Sequence, residues 1–240
     1  MTLHTGKIPK RQIPEPATRR GPIRSICVLV CTRERTEMLA RCLASLGEQI
    51  IPEGMTCHVC VCDNNHPARE TAINNIARDA GLPITYAYEP EPGYSSVRNR
   101  AIALAVNLSA DIIIFLDDDS TAAPDLIAQH IKAFSHYDAD VIAGAIEGIH
   151  FRVREGERLK KSGTGNVALR RWIFDNENGF GLRFDPRLNL LGFEDFEFFR
   201  ELTRAGGVII RSGGPKAFDV SQCLPDSPGS GSRGKKCCQE

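Results

Sequence analysis

The chain has 240 residues, of which 42% are apolar and 25% are charged, the values of an ordinary globular protein. Thirty basic residues balance thirty acidic residues, so the net charge gives no reason to expect a nucleic acid or another polyanion as partner. This length is sufficient for one large domain with a full core. No run of about 18 apolar residues suggests a membrane span.

Residues 1–24 are rich in proline and basic residues and show no apolar periodicity. We interpret them as a disordered basic arm. The arm lacks the apolar core of a signal peptide, which favours a cytoplasmic protein with reduced cysteines. The arm is either a solvated tail or a weak attachment to anionic lipid headgroups, which would hold the protein peripherally at the inner face of the membrane.

Three of the nine cysteines, Cys57, Cys60 and Cys62, stand close to His58 and suggest a metal cluster at first sight. The same residues, CHVCVC, have the character of a buried strand, in which cysteine acts as a small hydrophobic residue. No second cysteine pair stands at the spacing of a zinc ribbon. We therefore predict core cysteines here.

From residue 25 onward, apolar runs alternate with amphipathic segments. Strands are predicted at 25–31, 57–62, 84–88, 111–116 and 140–146, and helices at 36–47, 67–80, 95–108 and from Pro124. Continuous apolar runs are typical of parallel strands covered on both faces. The alternation predicts a Rossmann-like α/β fold, with a doubly wound, mostly parallel sheet and helices on both faces.

The alternation stops after about residue 150. A basic stretch at 151–171 is followed by a predicted helix at 193–205 and a short strand at 208–211. We assign 25–212 to a single domain in which the second half, 151–212, closes over the site of the first. Residues 213–240 are interpreted as an atypical, disordered tail.

Three adjacent carboxylates, Asp117, Asp118 and Asp119, follow the fourth predicted strand. In open α/β sheets, ligands collect at the carboxyl ends of the strands. Three like charges repel one another in a dry site, and a hard divalent ion bound by carboxylates and phosphate oxygens would relieve that repulsion. The alternative is a solvated acidic turn that caps the helix beginning at Pro124.

The predicted helix at 95–108 begins with GYSSVRNRA. Ser95 or Ser96 can cap it, and the free N–H groups of a helix start favour phosphate. Arg98 lies in the first turn, where its guanidinium can reach a diphosphate or an acidic neighbour. An ordinary capped helix with exposed arginines explains the same residues.

The segment GFEDFEFF at 192–199 places several acids at another helix start. Phe193, Phe196 and Phe199 recur every third residue and are predicted to anchor the helix to the core. Glu194 and Asp195 fit simple stabilisation by the helix dipole. They also fit a general base, which requires a fixed carboxylate facing the reacting group.

Taken in order, these segments resemble the family-2 glycosyltransferases with the GT-A fold. The similarity is carried by VLVCTRER, VCDNN, GYSSVRNRAIALA, IIFLDDDS, TGNVALRR and GFEDFEFFREL, from about residue 25 to about 212. It is nearest to bacterial enzymes that build exopolysaccharides or other surface glycans. The resemblance implies inverting transfer of a sugar from a nucleotide-diphosphate donor, expected to be a UDP-sugar, to a hydroxyl of a glycan or lipid-linked acceptor.

The resemblance also implies roles for single residues. Residues 25–150 would bind the nucleotide sugar, and 151–212 would supply the acceptor side and the base. The residues matched to the donor are Thr32, Arg33, Asp63, Arg98, Asp117, Asp118 and Asn166. Thr32 and Arg33 would lie near the nucleotide, and Asp63 would contact its base. Asn166 belongs to a segment, with Thr164 and Gly165, that lines the donor and acceptor sides.

Metal and catalytic roles follow from the same match. Asp117 and Asp119 correspond to the two acids of the D-x-D motif and would hold Mn²⁺ or Mg²⁺, with Asp119 as the first choice for direct ligation. Asp195 corresponds to the catalytic base, and Glu194 is the alternative.

Two other functions fit some of these residues. Asp117 to Thr121 also match the D-x-D-x-T motif of haloacid-dehalogenase-like phosphatases, with Asp117 as nucleophile. That motif opens the first strand of its own fold, whereas this one follows three earlier strand–helix units. A non-catalytic sugar-nucleotide-binding domain is the other alternative, suggested by the unusual C-terminal residues.

Overall fold

The computed structural model describes residues 21–147 and 154–220 of the chain. The basic arm up to residue 20 and the end of the predicted tail, from residue 221, lie outside the described residues. Within the described part, none of the helices has the length and apolar content that crossing a lipid bilayer requires.

The described residues contain nine strands and five α-helices, and strands alternate with helices from β1 to β4. The strands are β1 Ser25–Thr32, β2 Thr56–Asp63, β3 Ile84–Tyr88, β4 Ile112–Leu116, β5 Ser120–Ala122, β6 Val141–Glu147, β7 Arg158–Leu159, β8 Asn166–Arg170 and β9 Ile209–Asp219. The helices are α1 Thr36–Gly47, α2 Glu70–Asp79, α3 Tyr94–Asn107, α4 Leu126–His136 and α5 Glu194–Arg204, with 3₁₀ turns at Arg171–Phe174 and Pro186–Leu188.

All nine strands belong to one mixed sheet in the order β3-β2-β1-β4-β8-β6-β9-β5, with β7 paired to β9. The first four strands in that order are parallel neighbours, as the alternation of apolar runs predicted. Strand β8 enters antiparallel to both β4 and β6. The second half of the chain therefore contributes to the sheet of the first half.

Successive side chains of the central strands point to opposite faces of the sheet and contribute to two hydrophobic cores, one on each face. Ile26, Val28 and Val30 of β1 pack with α1, α2 and α4, whereas Cys27 and Leu29 pack with α3 and α5. Full burial of one such aliphatic side chain stabilises the fold by about 1.5–3 kcal/mol. Helices on both faces, as predicted, thus follow from strands that are apolar on both sides.

The cysteine prediction is confirmed for two of the three residues. Cys60 and Cys62 are completely buried in the core that faces α3, and the Sγ of Cys60 lies 3.4 Å from that of Cys27. Cys57 is only half-buried and packs against the opposite core.

The strand predicted at 208–211 is too short, because β9 continues to Asp219 and includes the first residues of the predicted tail. Residues 213–215, Gly-Gly-Pro, have the composition of a loop, but the pairing with β6 resumes after an irregularity between Ala143 and Ala145. Ala217 and Phe218 then pair with both β6 and β5. A bulge lets a strand pass through such residues without ending.

The predicted phenylalanine anchor is also partly wrong. Phe198 and Phe199 are buried, but Phe193 and Phe196 are 73% and 41% exposed. A spacing of three residues drifts off one face of a helix with 3.6 residues per turn, so only part of the set faces the core. Two aromatic side chains are left at the surface beside the first turn of α5.

Candidate active site

The predicted site residues of the first half converge at one edge of the sheet. Thr32 and Asp63 are the last residues of β1 and β2 and are directly paired in register. Strand β4 runs parallel to β1, so Asp117, which follows it, emerges at the same edge. Ligand sites in open α/β sheets lie at this edge.

The acidic residues after β4 are held by side chains from β1 and the turn after it. The hydroxyl of Thr32 donates to Oδ2 of Asp118 at 2.7 Å. Nη1 of Arg35 donates to Oδ1 of Asp118 at 3.0 Å and to Oδ2 of Asp119 at 2.6 Å. A solvated acidic turn capping α4 is therefore the wrong alternative, because Asp118 is buried and β5 separates these acids from the helix.

Arg35 is a site residue that the sequence analysis missed. We predicted Arg33 near the nucleotide, but the Arg33 side chain is 54% exposed and lies 4.0 Å from Glu34. Glu34 has a left-handed backbone with φ of 59°, and the next residue, Arg35, turns toward the acids. The clue in the sequence was a second cation directly after the carboxyl end of β1.

Asp117 experiences the repulsion that the three carboxylates were expected to produce. Burial raises the pKa of Asp117 to about 6, the charges of Asp119 and Asp118 act in the same direction, and Arg98 opposes them. Burial also raises the pKa of Asp118 against the hydrogen bond from Thr32 and the charge of Arg35. A divalent cation would reverse this balance because it stabilises the ionised forms.

A short glycine-containing segment lies between Asp117 and Asp195. A Cβ atom on Gly165 would lie 2.8 Å from Oδ2 of Asp117, and one on Gly163 would lie 3.5 Å from Oδ2 of Asp195. Thr164 between them is buried. The fold thus brings the acids after β4 and the first turn of α5 to the two ends of the same segment.

Glu194 and Asp195 have different environments although they are adjacent. Glu194 is buried, and its Oε1 accepts from Nη1 of Arg98, whose guanidinium lies 5.5 Å from the ring centroids of Tyr94 and Phe184. Oε2 of Glu194 is buried without a hydrogen-bond partner among the described residues. The carboxylate is thus paired with a cation on one side only.

Asp195 is partly exposed and faces the glycine segment. Its Oδ1 accepts a hydrogen bond from the backbone N–H of Phe196 at 2.7 Å, and its Oδ2 faces Gly163. Burial raises the pKa of Asp195, and the charge of Glu194 acts in the same direction. Gly192 and Phe193 precede the helix with φ of 71° and 69°, so a left-handed turn orients this pair of acids.

The start of α3 differs from the prediction. Neither Ser95 nor Ser96 caps the helix. Asn189 does so from the second half of the chain, because its Oδ1 accepts from the N–H of Ser96 at 2.9 Å and its backbone oxygen accepts from the N–H of Tyr94 at 3.0 Å. Gly93 is required by this contact, since a Cβ there would lie 2.3 Å from the Asn189 side chain. The N–H groups of Tyr94 and Ser96 are thus occupied within the protein, which favours the ordinary capped helix, and a phosphate contact at this helix start stays a prediction.

Asp63 is fully buried and organises the loop that follows β2. Its Oδ1 accepts from the backbone and side chain of Asn65, and its Oδ2 accepts from the N–H of Arg69 at 2.6 Å and the hydroxyl of Tyr86 at 3.0 Å. Both oxygens are thus engaged within the protein. Contact with a nucleotide base stays a prediction.

Asn166 is buried at the start of β8. Its Nδ2 donates to the carbonyls of Ala145 and Pro215, and its Oδ1 lies 2.8 Å from Nε2 of His130. These bonds join β6, β8, β9 and α4 directly beneath the glycine segment. The side chain therefore supports the shape of that segment, and its predicted contact with the donor stays a prediction.

The donor atoms fit a hard divalent ion. Oδ2 of Asp117 faces Gly165, and one oxygen of Asp119 remains outside the ion pair with Arg35. Among the described residues, no group of three or more acidic, histidine or cysteine side chains is arranged for metal binding. A site with one or two carboxylates is typical of ions that complete their coordination with substrate phosphates and water.

Comparison with known proteins places this geometry in a family. The family model described as Glycosyl transferase family 2 matches residues 27–213. The succinoglycan biosynthesis protein ExoM of Rhizobium meliloti (strain 1021) is 28% identical over 219 residues, covering 84% of this chain and 67% of that protein. An N-acetylglucosaminyltransferase of Rhizobium leguminosarum bv. viciae is 25% identical over 163 residues, covering 65% of this chain and 35% of that protein.

Solved structures share the fold. The S. aureus TarS 1-349 structure in complex with UDP superposes with a TM-score of 0.64 at 16% identity, covering 81% of this chain and 60% of that chain. The mannosyltransferase PcManGT from Pyrobaculum calidifontis, in complex with GDP-Man and Mn²⁺, gives a TM-score of 0.65 at 18% identity, covering 87% and 59%. The chain thus spans about three fifths of these structures. Its sequence match across the sheet and both acidic segments shows that the chain belongs to glycosyl transferase family 2.

Proposed function

We propose that the chain is a metal-dependent inverting glycosyltransferase that moves a sugar from a nucleotide-diphosphate donor to an acceptor hydroxyl in polysaccharide synthesis. The observation that carries the proposal is the segment Gly163–Gly165, which faces Asp117 at one end and Asp195 at the other. A metal-binding acid and a general base would then act on opposite sides of one bound sugar. Family membership and the name of the ExoM relative support the class of reaction.

The donor is expected to be a UDP-sugar. TarS structures with UDP and with UDP-GlcNAc share this fold, although PcManGT was solved with GDP-Man. In this chain, Thr32 and Asp63 end neighbouring strands at the carboxyl edge of the sheet, and the charge of Arg98 on α3 acts on Asp117. We assign the nucleotide to this edge, with Arg33 on its exposed side and Asn166 supporting its sugar side.

Asp119 and Asp117 would hold Mn²⁺ or Mg²⁺, and Asp118 would position them. Asp118 is fixed by Thr32 and Arg35, which makes it a support for the turn. When bound, the ion would supply Lewis-acid stabilisation of charge on the donor diphosphate. Arg35 is near enough to contribute a second positive charge at this position.

Asp195 is the better candidate for the base. Glu194 is buried and forms an ion pair with Arg98, whereas Asp195 is partly exposed. The pKa of Asp195 is raised by burial, which strengthens the carboxylate as a proton acceptor. Asp195 would accept the proton of the acceptor hydroxyl as that oxygen bonds to the anomeric carbon. The bond from that carbon to the diphosphate breaks, the electron pair leaves with the diphosphate, and the configuration inverts.

The alternative functions have less support. The phosphatase hypothesis needed the acidic motif on the first strand of a different fold, whereas here it follows β4 of a family-2 domain. A non-catalytic binding domain would bind the donor without turnover. The acids expected to act in catalysis are present, which argues against that alternative.

The test combines donor binding with turnover. A thermal-shift screen of nucleotide sugars with and without Mn²⁺ identifies the donor, because a ligand that binds the native state raises the melting temperature. Asp195→Asn should then lower transfer by about 10²–10⁴-fold while the donor-induced shift persists. Asp119→Ala should remove the Mn²⁺-dependent part of that shift.

Glu197→Gln is the matched control, since Glu197 lies in the same helical turn and pairs with Arg200 at the surface. It should retain transfer. Near-normal transfer by Asp195→Asn would move the base to Glu194, and donor binding without any turnover in the unaltered protein would favour the binding domain.

A further inference from the structure

A cavity of about 720 Å³ lies between strand β6, the first turn of α5 and the segment that ends at Gly165. One wall is strand β6 at residues 143–147, and another is the segment 157–163. Phe196, the residue after Asp195, closes the side toward α5. The family resemblance implied that residues 151–212 supply the acceptor side, but it gave no role to the basic residues between 158 and 161.

The cavity shares two residues with the candidate active site. Gly163 and Gly165 belong to its lining, and these are the two residues that face the carboxylates of Asp195 and Asp117. A molecule bound against Gly163 in the cavity would therefore lie next to Oδ2 of Asp195. This is the position that an acceptor needs for its hydroxyl to meet the base.

The charges of the cavity wall are unbalanced. Its two acids are engaged by basic residues, because Glu147 lies 3.4 Å from Lys216 and Glu157 lies 3.8 Å from Arg211. Lys160 and Lys161 also line the cavity, are exposed, and form no ion pair with any residue in the described ranges. Arg158 also lines the cavity, is exposed and likewise has no ion pair within the described ranges, so the wall presents three basic side chains without an acidic partner, two of them the adjacent lysines.

Phe196 adds an apolar surface to these cations. Its ring is 41% exposed, and Nζ of Lys161 lies 4.7 Å from the ring centroid. An exposed ring next to a carboxylate and two lysines is suited to a ligand with an apolar face, a hydroxyl and an anionic group. Phosphate and carboxylate are the anionic groups that an ammonium binds as a point charge.

We propose that this cavity is the acceptor site and that Lys160 and Lys161 select an acceptor with an anionic group. The proposal rests on the proposed function. The acceptor sugar packs on Phe196 with one hydroxyl at Asp195, and the anionic group lies against the lysines. That group is either a phosphate ester on the acceptor or the carboxylate of an acidic sugar.

The test compares matched acceptors in transfer assays with the donor identified by thermal shift. Alkyl glycosides of several hexoses are supplied in three forms: the neutral glycoside, the corresponding uronide, and the same sugar joined to the alkyl chain through a diphosphate. At least one charged form should have a kcat/KM about tenfold above its neutral counterpart at low salt. The advantage should shrink as salt screens the charges. The preferred form identifies the source of the charge.

Variants locate the effect. The double substitution Lys160→Gln and Lys161→Gln should raise the KM for the charged acceptor about tenfold, with a smaller change in kcat. Lys132→Gln, which removes an exposed lysine from α4, should leave that KM unchanged. The donor-induced thermal shift should persist in the double variant.

Three results would overturn the inference. The first is equal use of neutral and charged acceptors, and the second is an unchanged KM in the double variant. The third is a weakened donor shift in the double variant, because the lysines would then bind the donor diphosphate. Absence of transfer to every acceptor form, with the donor bound, would instead overturn the proposed function itself and this inference with it.

Discussion

Arg98 on α3 and Glu194 at the start of α5 form a buried ion pair that joins the two halves of the domain. The side chains are only 13% and 6% exposed. Asn99, next to Arg98, adds two hydrogen bonds to the backbone of Phe184. The first turn of α5, and with it Asp195, is therefore positioned by a helix from the first half of the chain.

Breaking this pair on one side should destabilise the protein. We predict that Glu194→Leu lowers the free energy of unfolding by about 3–5 kcal/mol, because the Arg98 charge is left buried without its partner. Arg98→Met in the same chain should restore much of that loss. Urea unfolding of both single variants and the double variant measures the coupling.

Glu201→Gln breaks an exposed pair with Arg204 and should cost less than about 1 kcal/mol. Simple addition of the two single losses would contradict the prediction.

The two glycines beside the carboxylates should differ in their tolerance of a methyl group. A Cβ on Gly165 would lie 2.8 Å from both Oδ2 of Asp117 and Cδ1 of Ile146, whereas one on Gly163 would meet Asp195 at an ordinary 3.5 Å. We predict that Gly165→Ala weakens Mn²⁺-dependent donor binding at least about tenfold, or about 1.4 kcal/mol. Gly163→Ala is the matched control and should bind the donor normally in calorimetry. Equal binding by both variants would show that Asp117 is not needed there.

Arg35 should compete with a metal ion for the acids. Its guanidinium is bound to Asp118 and Asp119 but is about half exposed, so the pair is worth about 0.2–1 kcal/mol. We predict that Arg35→Met tightens binding of Mn²⁺ alone by about two- to fivefold, measured by calorimetry without nucleotide. Arg33→Met removes a neighbouring cation that does not contact these acids and should change nothing. Weaker Mn²⁺ binding by Arg35→Met would show that the guanidinium organises the ion site.

His130 should make stability depend on pH. It is completely buried beneath the glycine segment, and burial lowers its pKa to about 4, against the hydrogen bond with Asn166. In the unfolded chain His130 takes up a proton as the pH falls through about 6.5, whereas in the folded protein it stays neutral until about pH 4. Its contribution to stability is therefore retained above pH 6.5 and lost as the pH falls toward 4. Between pH 7 and pH 5, this residue should cost about 2 kcal/mol.

The measurement for His130 is urea unfolding at the two pH values. His130→Gln keeps a polar side chain beside Asn166 but does not titrate, so its stability should fall less than that of the unaltered protein by about that amount. An identical fall in both proteins would assign the pH dependence to other groups.

Much of the first half could be predicted from local patterns. Apolar runs such as 112–116 have only one stable environment, the interior of a sheet covered on both faces, and every residue of β4 is buried. Because parallel strands share their carboxyl edge, the position of Asp117 relative to Thr32 and Asp63 followed from the order of strands and helices. The family resemblance pointed to the same residues, and the family match confirmed that the chain belongs to this family.

The second half was less predictable because its elements are stabilised by distant partners. In the described part of the chain, no helix precedes β8 in the way that helices precede the parallel strands, so the strand–helix alternation could not predict it. Strand β8 lies antiparallel between two strands of the first half. Strand β9 crosses a Gly-Gly-Pro sequence that has no preference for a strand, and only its neighbours β5 and β6 keep it extended. Local propensity is a weak guide where tertiary pairing decides the conformation.

The sequence alone therefore determined the fold class, the edge of the sheet at which the candidate site residues gather and the types of those residues, because apolar periodicity and strand order are local properties. Only the tertiary structure decided that Arg35 rather than Arg33 contacts the acids, that Asn189 caps α3, and that Arg98 is paired with Glu194. Each of these contacts depends on a close approach of a few ångströms between elements, and such approaches are set by packing of the whole core.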